Sequence, residues 1–309
     1  MKIDYKKAKK QLLSNDDIMI FCHRNPDGDT LGSGYGLCYA LRSLGKKAKV
    51  VCFDKLPSKF EYLRDFDEEF TPKFFVSVDI ASEGLFGEMP AKINLAIDHH
   101  PSNTLFAENT LLEPEAAATC EVIYKLIKEL KVKITPQIAT CLYTGIATDT
   151  GCFKFSNVTP ETHFIAGELI KCGADFKKVN KEIFETKTMG LVSLEAEVLN
   201  NLKFFCDNKV ALIAVTLQML EKSGVMETEL DGITGIPRQI EGVLVGVTVK
   251  QRTENEYKIS VRSSESLDAS EFCKRFGGGG HARAGGCSIF GTLEEVINTL
   301  TTALAEELE

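Results

Sequence analysis

Three apolar runs in the first hundred residues each end in acidic or imidazole side chains, and this recurrence narrows the fold sharply. Residues 17–22 (DIMIFC) run into HRNPDGD, residues 74–79 (FFVSVD) end on an aspartate, and residues 93–97 (INLAI) run into DHH. Between and after them lie helical patterns. In 31–44, Leu31, Tyr35, Cys38 and Leu41 share one face before Gly45 ends the helix. A further strand is predicted over 49–53, an amphipathic helix over 117–130 and an apolar helix over 136–148. Strands alternating with helices predict an α/β fold, with a mostly parallel sheet carrying helices on both faces. In open sheets of that kind, ligands collect at the carboxyl ends of the strands.

The residues gathered at those ends are His23, Asp27, Asp29, Asp79, Asp98, His99 and His100, with Asp149 following in GIATDTG. Mixed carboxylates and imidazoles suit Mn²⁺, Mg²⁺, Fe²⁺ or Zn²⁺. A pair of ions about 3.5–4 Å apart needs several anionic ligands and one that bridges. A single aspartate after a strand, such as Asp29, more often caps a helix. The chain has only five histidines, however, and three of them fall in these strings. A fourth, His281, lies in a glycine-rich string, and His163 alone is read as structural.

After a polar helical stretch over 175–201 the pattern changes. Residues 210–216, 242–250 and 257–261 are β-rich, and 294–308 is a closing helix. Residues 276–286 read FGGGGHARAGG, six glycines in eleven. Consecutive N–H groups without Cβ atoms cup an anion. His281 and Arg283 add donors, as do Arg262, Ser263 and Ser264 just upstream. The expected division is a metal-site domain over 1–185, a linker helix over 186–204 and a smaller α/β domain over 205–309.

A length of 309 residues suits two such domains. The net charge of −8 points to a local pocket for a small anionic substrate rather than a long basic groove. Ten scattered cysteines without a CxxC spacing read as small buried hydrophobes in a reducing compartment. No apolar run approaches the ~20 residues of a membrane span, and the basic N-terminus lacks the features of a signal peptide. The expected location is cytoplasmic, with no membrane partner.

HRNPDGDTLGS, VSVDIAS, DHHPSN, GIATDTGCFKF and GGGGHARAGG, in this order, resemble the motifs of the DHH phosphoesterases with a DHH-associated C-terminal domain. Within that family the chain is most similar to the subgroup of oligoribonucleases that are also pAp phosphatases. The resemblance implies hydrolysis of short oligoribonucleotides to mononucleotides and of pAp to AMP and phosphate, with the active site in the cleft between the domains. It implies two divalent cations, Mn²⁺ first, with Mg²⁺, Co²⁺ or Fe²⁺ as alternatives. His23 and Asp27 are then expected on one ion, Asp29, His99 and Asp149 on the other, and Asp79 between them. Asp98 is expected to orient a histidine, and His100 to face the scissile phosphate. Arg262, Gly278, Gly279, Gly280, His281, Arg283 and Asn103 are expected to hold the substrate. Partners are short RNA or nucleotides, with a homodimer as the family expectation. Two readings stand beside this one. The first is a cyclic or linear dinucleotide phosphodiesterase acting on c-di-AMP or pApA. The second is a non-catalytic nucleotide-binding regulator.

Overall fold

Short parallel strands that are apolar along their whole length must be buried on both sides, and the first half of the chain meets that need with helices and an aromatic patch. The computed structural model describes residues 1–64, 69–87, 92–226, 229–264 and 266–308, without the side chains of Asp231 and His281. It divides into two compact units, Met1–Thr186 and Lys187–Glu309.

The first unit runs α1 (Tyr5–Ser14), β1 (Ile18–Phe21), α2 (Gly28–Ser43), β2 (Ala48–Val51), β3 (Phe74–Val78), β4 (Leu95–Asp98), β5 (Asn109–Leu112), α3 (Thr119–Glu129), α4 (Pro136–Asp149), α5 (Pro160–Lys171) and α6 (Phe176–Asn180). Its five strands are all parallel, in the order β2-β1-β3-β4-β5. The order reverses between β1 and β3. Doubly wound sheets open a crevice at that point, outside the carboxyl ends of the strands.

Alternate strand residues face opposite sides. Ile18, Ile20, Val76, Val78, Leu95 and Ile97 pack with side chains from α1 to α6 in one large core. The other side, with Met19, Phe21, Phe75 and Ala96, packs against Phe53, Phe86 and Phe106 from connecting segments. Among the described residues, the second helical layer expected from the sequence is thus replaced by aromatic rings. Large rings bury much apolar area per residue, so short connections can cover that face.

α2 is buried on all sides from Gly28 to Leu41, beyond the single apolar face expected of it. Gly28, Gly32 and Gly36, spaced four apart, line the side that meets α4. A Cβ on Gly32 would run into the Cys141 carbonyl. The missing side chains let the two backbones approach closely and bring the first turn of α2 beside the last turn of α4.

The second unit runs α7 (Met189–Asn200), β6 (Lys203–Phe205), β7 (Val210–Val215), α8 (Leu217–Ser223), α9 (Asp231–Thr234), β8 (Val245–Thr253), β9 (Glu256–Ser263), α10 (Ala269–Lys274), β10 (Gly279–His281), β11 (Ala284–Phe290) and α11 (Leu293–Leu308). Its sheet order is β10-β11-β9-β8-β7-β6, with only β7 and β8 parallel. The helix expected as a linker is α7, and it belongs to this unit. Leu194 and Val198 are fully buried with Ile213, Val215 and Ile233, because α7 supplies the apolar stripe that covers one face of the sheet. No helix among the described residues is long and apolar enough to cross a membrane.

Replacing Gly32 with alanine tests the close helix crossing. Gly32→Ala is expected to lower unfolding stability by about 1–3 kcal/mol, the usual cost of overpacking, measured by urea denaturation. A variant as stable as the parent contradicts the tight α2–α4 contact.

Candidate metal centre

The strand reversal and the α2–α4 crossing bring the expected residues to one place. His23 follows β1, Asp79 follows β3, Asp98 ends β4, and His99 and His100 come next. Asp27 is the N-cap of α2 and accepts from the Asp29 and Thr30 amides at 3.0 and 3.1 Å. Asp29 lies within the first turn of α2, and Asp149 is the last residue of α4. These two sit on helices rather than in loops, and their placement depends on the glycine contact above.

Three groups emerge, each with ligand atoms within 4.8 Å of one another: His23, Asp27 and Asp79; Asp29, His99 and Asp149; and Asp79, His99 and His100. Asp79 joins them. Its Oδ2 lies 3.5 Å from His23 Nε2, and its Oδ1 lies 3.7 Å from His99 Nε2. Its backbone φ is +60°. That left-handed conformation costs a non-glycine residue energy, although aspartate adopts it more readily than most.

The ring nitrogens are oriented from behind. His23 Nδ1 is 2.8 Å from the Arg24 carbonyl and His99 Nδ1 is 3.0 Å from the Ala116 carbonyl, contacts that assign Nδ1–H to both rings. Each Nε2 then faces the carboxylates, with its lone pair towards them when the ring is neutral. His99 Nε2 is buried with no hydrogen-bond partner. It lies 3.4 Å from Asp149 Oδ2 and 3.7 Å from Asp79 Oδ1. A lone pair and two carboxylate oxygens repel unless a cation lies among them. The donor set therefore fits divalent ions, as carboxylate and imidazole chemistry would have it.

Asp98 holds the adjoining loop. Its Oδ1 accepts from the His99 and His100 amides at 2.8 and 3.2 Å and pairs with His100 Nδ1 at 2.8 Å. Asn103, expected at a phosphate, donates its amide instead to Asp98 Oδ2 at 2.6 Å and to the Ile80 carbonyl at 3.2 Å. Its side chain braces the loop because two acceptors already surround it. His163, read as structural, stacks on Phe153 with ring centroids 5.4 Å apart.

Charge is crowded here. Burial and then repulsion from Asp79 and Asp27 push Asp29 well above the ordinary carboxylate range. Burial and then Asp29, Asp27, Asp79 and Asp98 do the same to Asp149. Burial alone would pull His23 down, but Asp27 and Asp79 push it up to about 11. His100, against the same burial, is pushed up to about 9 by Asp98 and Asp79. His23 holds Asp27, which is half-exposed, below the usual range, and His100 and Asn103 hold Asp98 there against its burial.

The donors that hold Asp29 are backbone groups that no side-chain motif marks directly. The amides of Thr119 and Cys120 donate to its two oxygens at 2.6 and 2.9 Å. They open α3, whose N-cap, Ala118, provides no side-chain cap. Helix amides left without a local cap need a partner from elsewhere. The AAATC string before an apolar helix was the available clue.

In the second unit the glycine string forms a hairpin rather than an open loop. Gly279 pairs with Gly286 and Gly280 with Gly285. Gly280 has φ +141°, and a Cβ on Gly285 would strike the Ala269 carbonyl, so close backbone packing already requires these glycines. Gly278 also lies against β11, and its amide donates to the Cys273 carbonyl at 2.9 Å. Arg262 lies on β9 opposite Ala284. Arg283, in the hairpin turn, donates to the Ser264 and Leu267 carbonyls. Ser263 is buried and donates to the Leu267 carbonyl at 2.7 Å. The His281 side chain lies outside the described residues.

Comparison with known proteins agrees with this architecture. Residues 17–146 match the family model described as DHH family, N-terminal domain, and residues 207–309 match that of the DHHA1 domain. A bifunctional oligoribonuclease and PAP phosphatase, NrnA, of Thermus thermophilus is 33% identical over 94% of this chain and 90% of its own. An exopolyphosphatase-related protein from Bacteroides fragilis superposes with a TM-score of 0.88 at 28% identity, covering 98% of this chain and 95% of that one. RecJ from Thermus thermophilus, solved in complex with Mn²⁺, shares the fold with a TM-score of 0.54 at 16% identity, over 98% of this chain and 54% of its own.

The pKa directions set a pH test. Asp29, Asp149, His23 and His100 all bind protons more tightly in the folded chain than in the unfolded one. For the histidines the stabilisation is complete below their ordinary value of 6.5 and is lost as pH rises through about 9 and about 11. The two aspartates act in the same direction once pH exceeds the ordinary carboxylate range. In EDTA the melting temperature should therefore fall between about pH 6.5 and about pH 8.5. A saturating divalent ion replaces the protons and should abolish that fall. An EDTA profile that rises over this window contradicts the charge account.

Proposed function

The chain belongs to the DHH family, the phosphoesterases with a DHHA1 domain, and from that premise we propose that it hydrolyses short oligoribonucleotides to mononucleotides and pAp to AMP and phosphate. It is a hydrolase acting on phosphoesters. The observation that carries the reading is the seven-residue carboxylate and imidazole cluster joined by Asp79, in a chain similar along nearly its whole length to an oligoribonuclease and PAP phosphatase.

In this reading His23 and Asp27 would hold one ion, Asp29, His99 and Asp149 would hold the other, and Asp79 would serve both. When bound, such a pair supplies Lewis-acid activation of water near neutral pH and neutralises charge on the phosphoryl oxygens. Mn²⁺ is the ion we favour, because the mixed donor set suits it and a protein of the same fold was solved with it. His100 is held by Asp98 and, in the metal-free chain, pushed up to about 9. It can donate a proton to the leaving oxygen or stabilise charge on the phosphoryl group. Asp98 fixes the ring that does so.

We assign recognition of the rest of the substrate to the second unit. Arg262 offers a planar pair of donors that matches a phosphate, and Gly278, Gly279, Gly280 and His281 form the adjoining strand and turn. Arg283 has a bracing role on the Ser264 and Leu267 carbonyls, so its loss should disturb the hairpin rather than remove a phosphate contact. Ten cysteines without a disulfide fit a cytoplasmic enzyme.

The test is release of nucleotide and phosphate, with Mn²⁺ present, from pAp, a 5′-phosphorylated RNA dinucleotide, a 24-mer RNA, c-di-AMP and pyrophosphate. Rapid turnover of pAp and the dinucleotide, with little of the others, is expected. Preference for c-di-AMP would move the role to cyclic dinucleotide turnover. Absence of hydrolysis on every compound would leave a nucleotide-binding regulator. Asp79→Ala is expected to lower kcat on the dinucleotide by at least about a thousandfold, because it removes a ligand from both ions. Arg262→Ala should chiefly raise KM, and an unchanged KM removes Arg262 from the substrate site.

A further inference from the structure

Building on the metal reading above, we infer that Thr119 is a positioning residue that sets the angle of the bridging carboxylate. Its hydroxyl donates to Asp79 Oδ1 at 2.8 Å. Its amide donates to Asp29 Oδ2 at 2.6 Å. One buried residue thus donates to two carboxylates that repel each other. Three residues earlier the Ala116 carbonyl receives His99 Nδ1 at 3.0 Å. The start of α3 therefore touches three members of the cluster without contributing a ligand atom.

The hydroxyl matters because of what Asp79 must do. One oxygen faces His23 Nε2 at 3.5 Å and the other faces His99 Nε2 at 3.7 Å. A rotation of the carboxylate turns one oxygen away from its group. The backbone of Asp79 is in the left-handed region, at φ +60°, so its side chain leaves the strand end in a direction the strand pleat does not set. The Thr119 hydroxyl fixes that direction, and it donates to the oxygen that faces His99. The second oxygen is thereby left towards His23. Outer contacts of this kind commonly change metal affinity by about 10- to 100-fold.

The test uses the full chain stripped with EDTA, with Mn²⁺ binding measured by electron paramagnetic resonance and calorimetry. Thr119→Val and Thr119→Ala both remove the hydroxyl while keeping the amide, and they differ in volume, so a packing effect separates them. Both are expected to weaken Mn²⁺ binding by about 10- to 100-fold and to lower kcat on an RNA dinucleotide more than they change KM. Thr119→Ser keeps the donor and should restore binding to near the parent value. Unchanged Mn²⁺ affinity in the hydroxyl-free variants, or a serine variant as weak as the valine one, overturns the role of Thr119 while the metal reading stands. A parent chain that takes up no Mn²⁺ overturns the metal reading and this role with it.

Discussion

Repulsion among buried carboxylates is the constraint on which the first unit is organised. Asp29 and Asp79 are nearly inaccessible to solvent. Asp79 and Asp27 repel Asp29, and Asp29, Asp27, Asp79 and Asp98 repel Asp149. Isolated buried carboxylates of this number would take up protons or unfold the site. The local structure opposes that at several points. The amide end of α3 faces Asp29, where aligned peptide dipoles favour negative charge. His100 and Asn103 hold Asp98. The remaining charge calls for cations, and the unpartnered His99 Nε2 marks where one belongs.

That requirement accounts for features that look unrelated. The sheet reverses order between β1 and β3, which puts His23 and Asp79 side by side. Gly28, Gly32 and Gly36 of α2 permit the crossing with α4, and the crossing brings Asp29 to Asp149. Gly145 on α4 extends the same logic, because a Cβ there would meet Asp29 Oδ1 at 2.6 Å. Helix packing and ligand placement are thus one problem. A substitution far from solvent and without a polar group can displace a ligand.

Much of this was legible in the sequence, for a physical reason. Parallel strands are short and apolar, so an acidic or imidazole residue directly after one stands out, and Asp79, His99 and His23 did. The glycine string stood out as well, but its reading was incomplete. Glycine serves a tight hairpin and an anion cup equally, and only the register of Gly280 with Gly285 reveals the hairpin. β5 escaped notice because its four residues, Asn109–Leu112, are too few to show a period. The Thr119 and Cys120 amides carry no residue identity of their own, and only the uncapped AAATC start of α3 hints at them. Asn103 was expected at a phosphate, and its amide lies on Asp98 Oδ2; an amide suits phosphate and carboxylate alike, and the sequence does not say which is nearer. The aromatic layer on the second sheet face is assembled from residues scattered between Phe53 and Phe106, with no periodicity to mark it.

The most direct test of the account is the number and coupling of metal ions in the parent chain. Mn²⁺ titrated into EDTA-stripped protein and followed by electron paramagnetic resonance should reach two ions per chain. The spectrum should show exchange coupling, as for ions about 3.5–4 Å apart sharing a carboxylate. Uptake of a single ion, or of two uncoupled ones, would contradict the bridging role of Asp79 and the charge balance built around it.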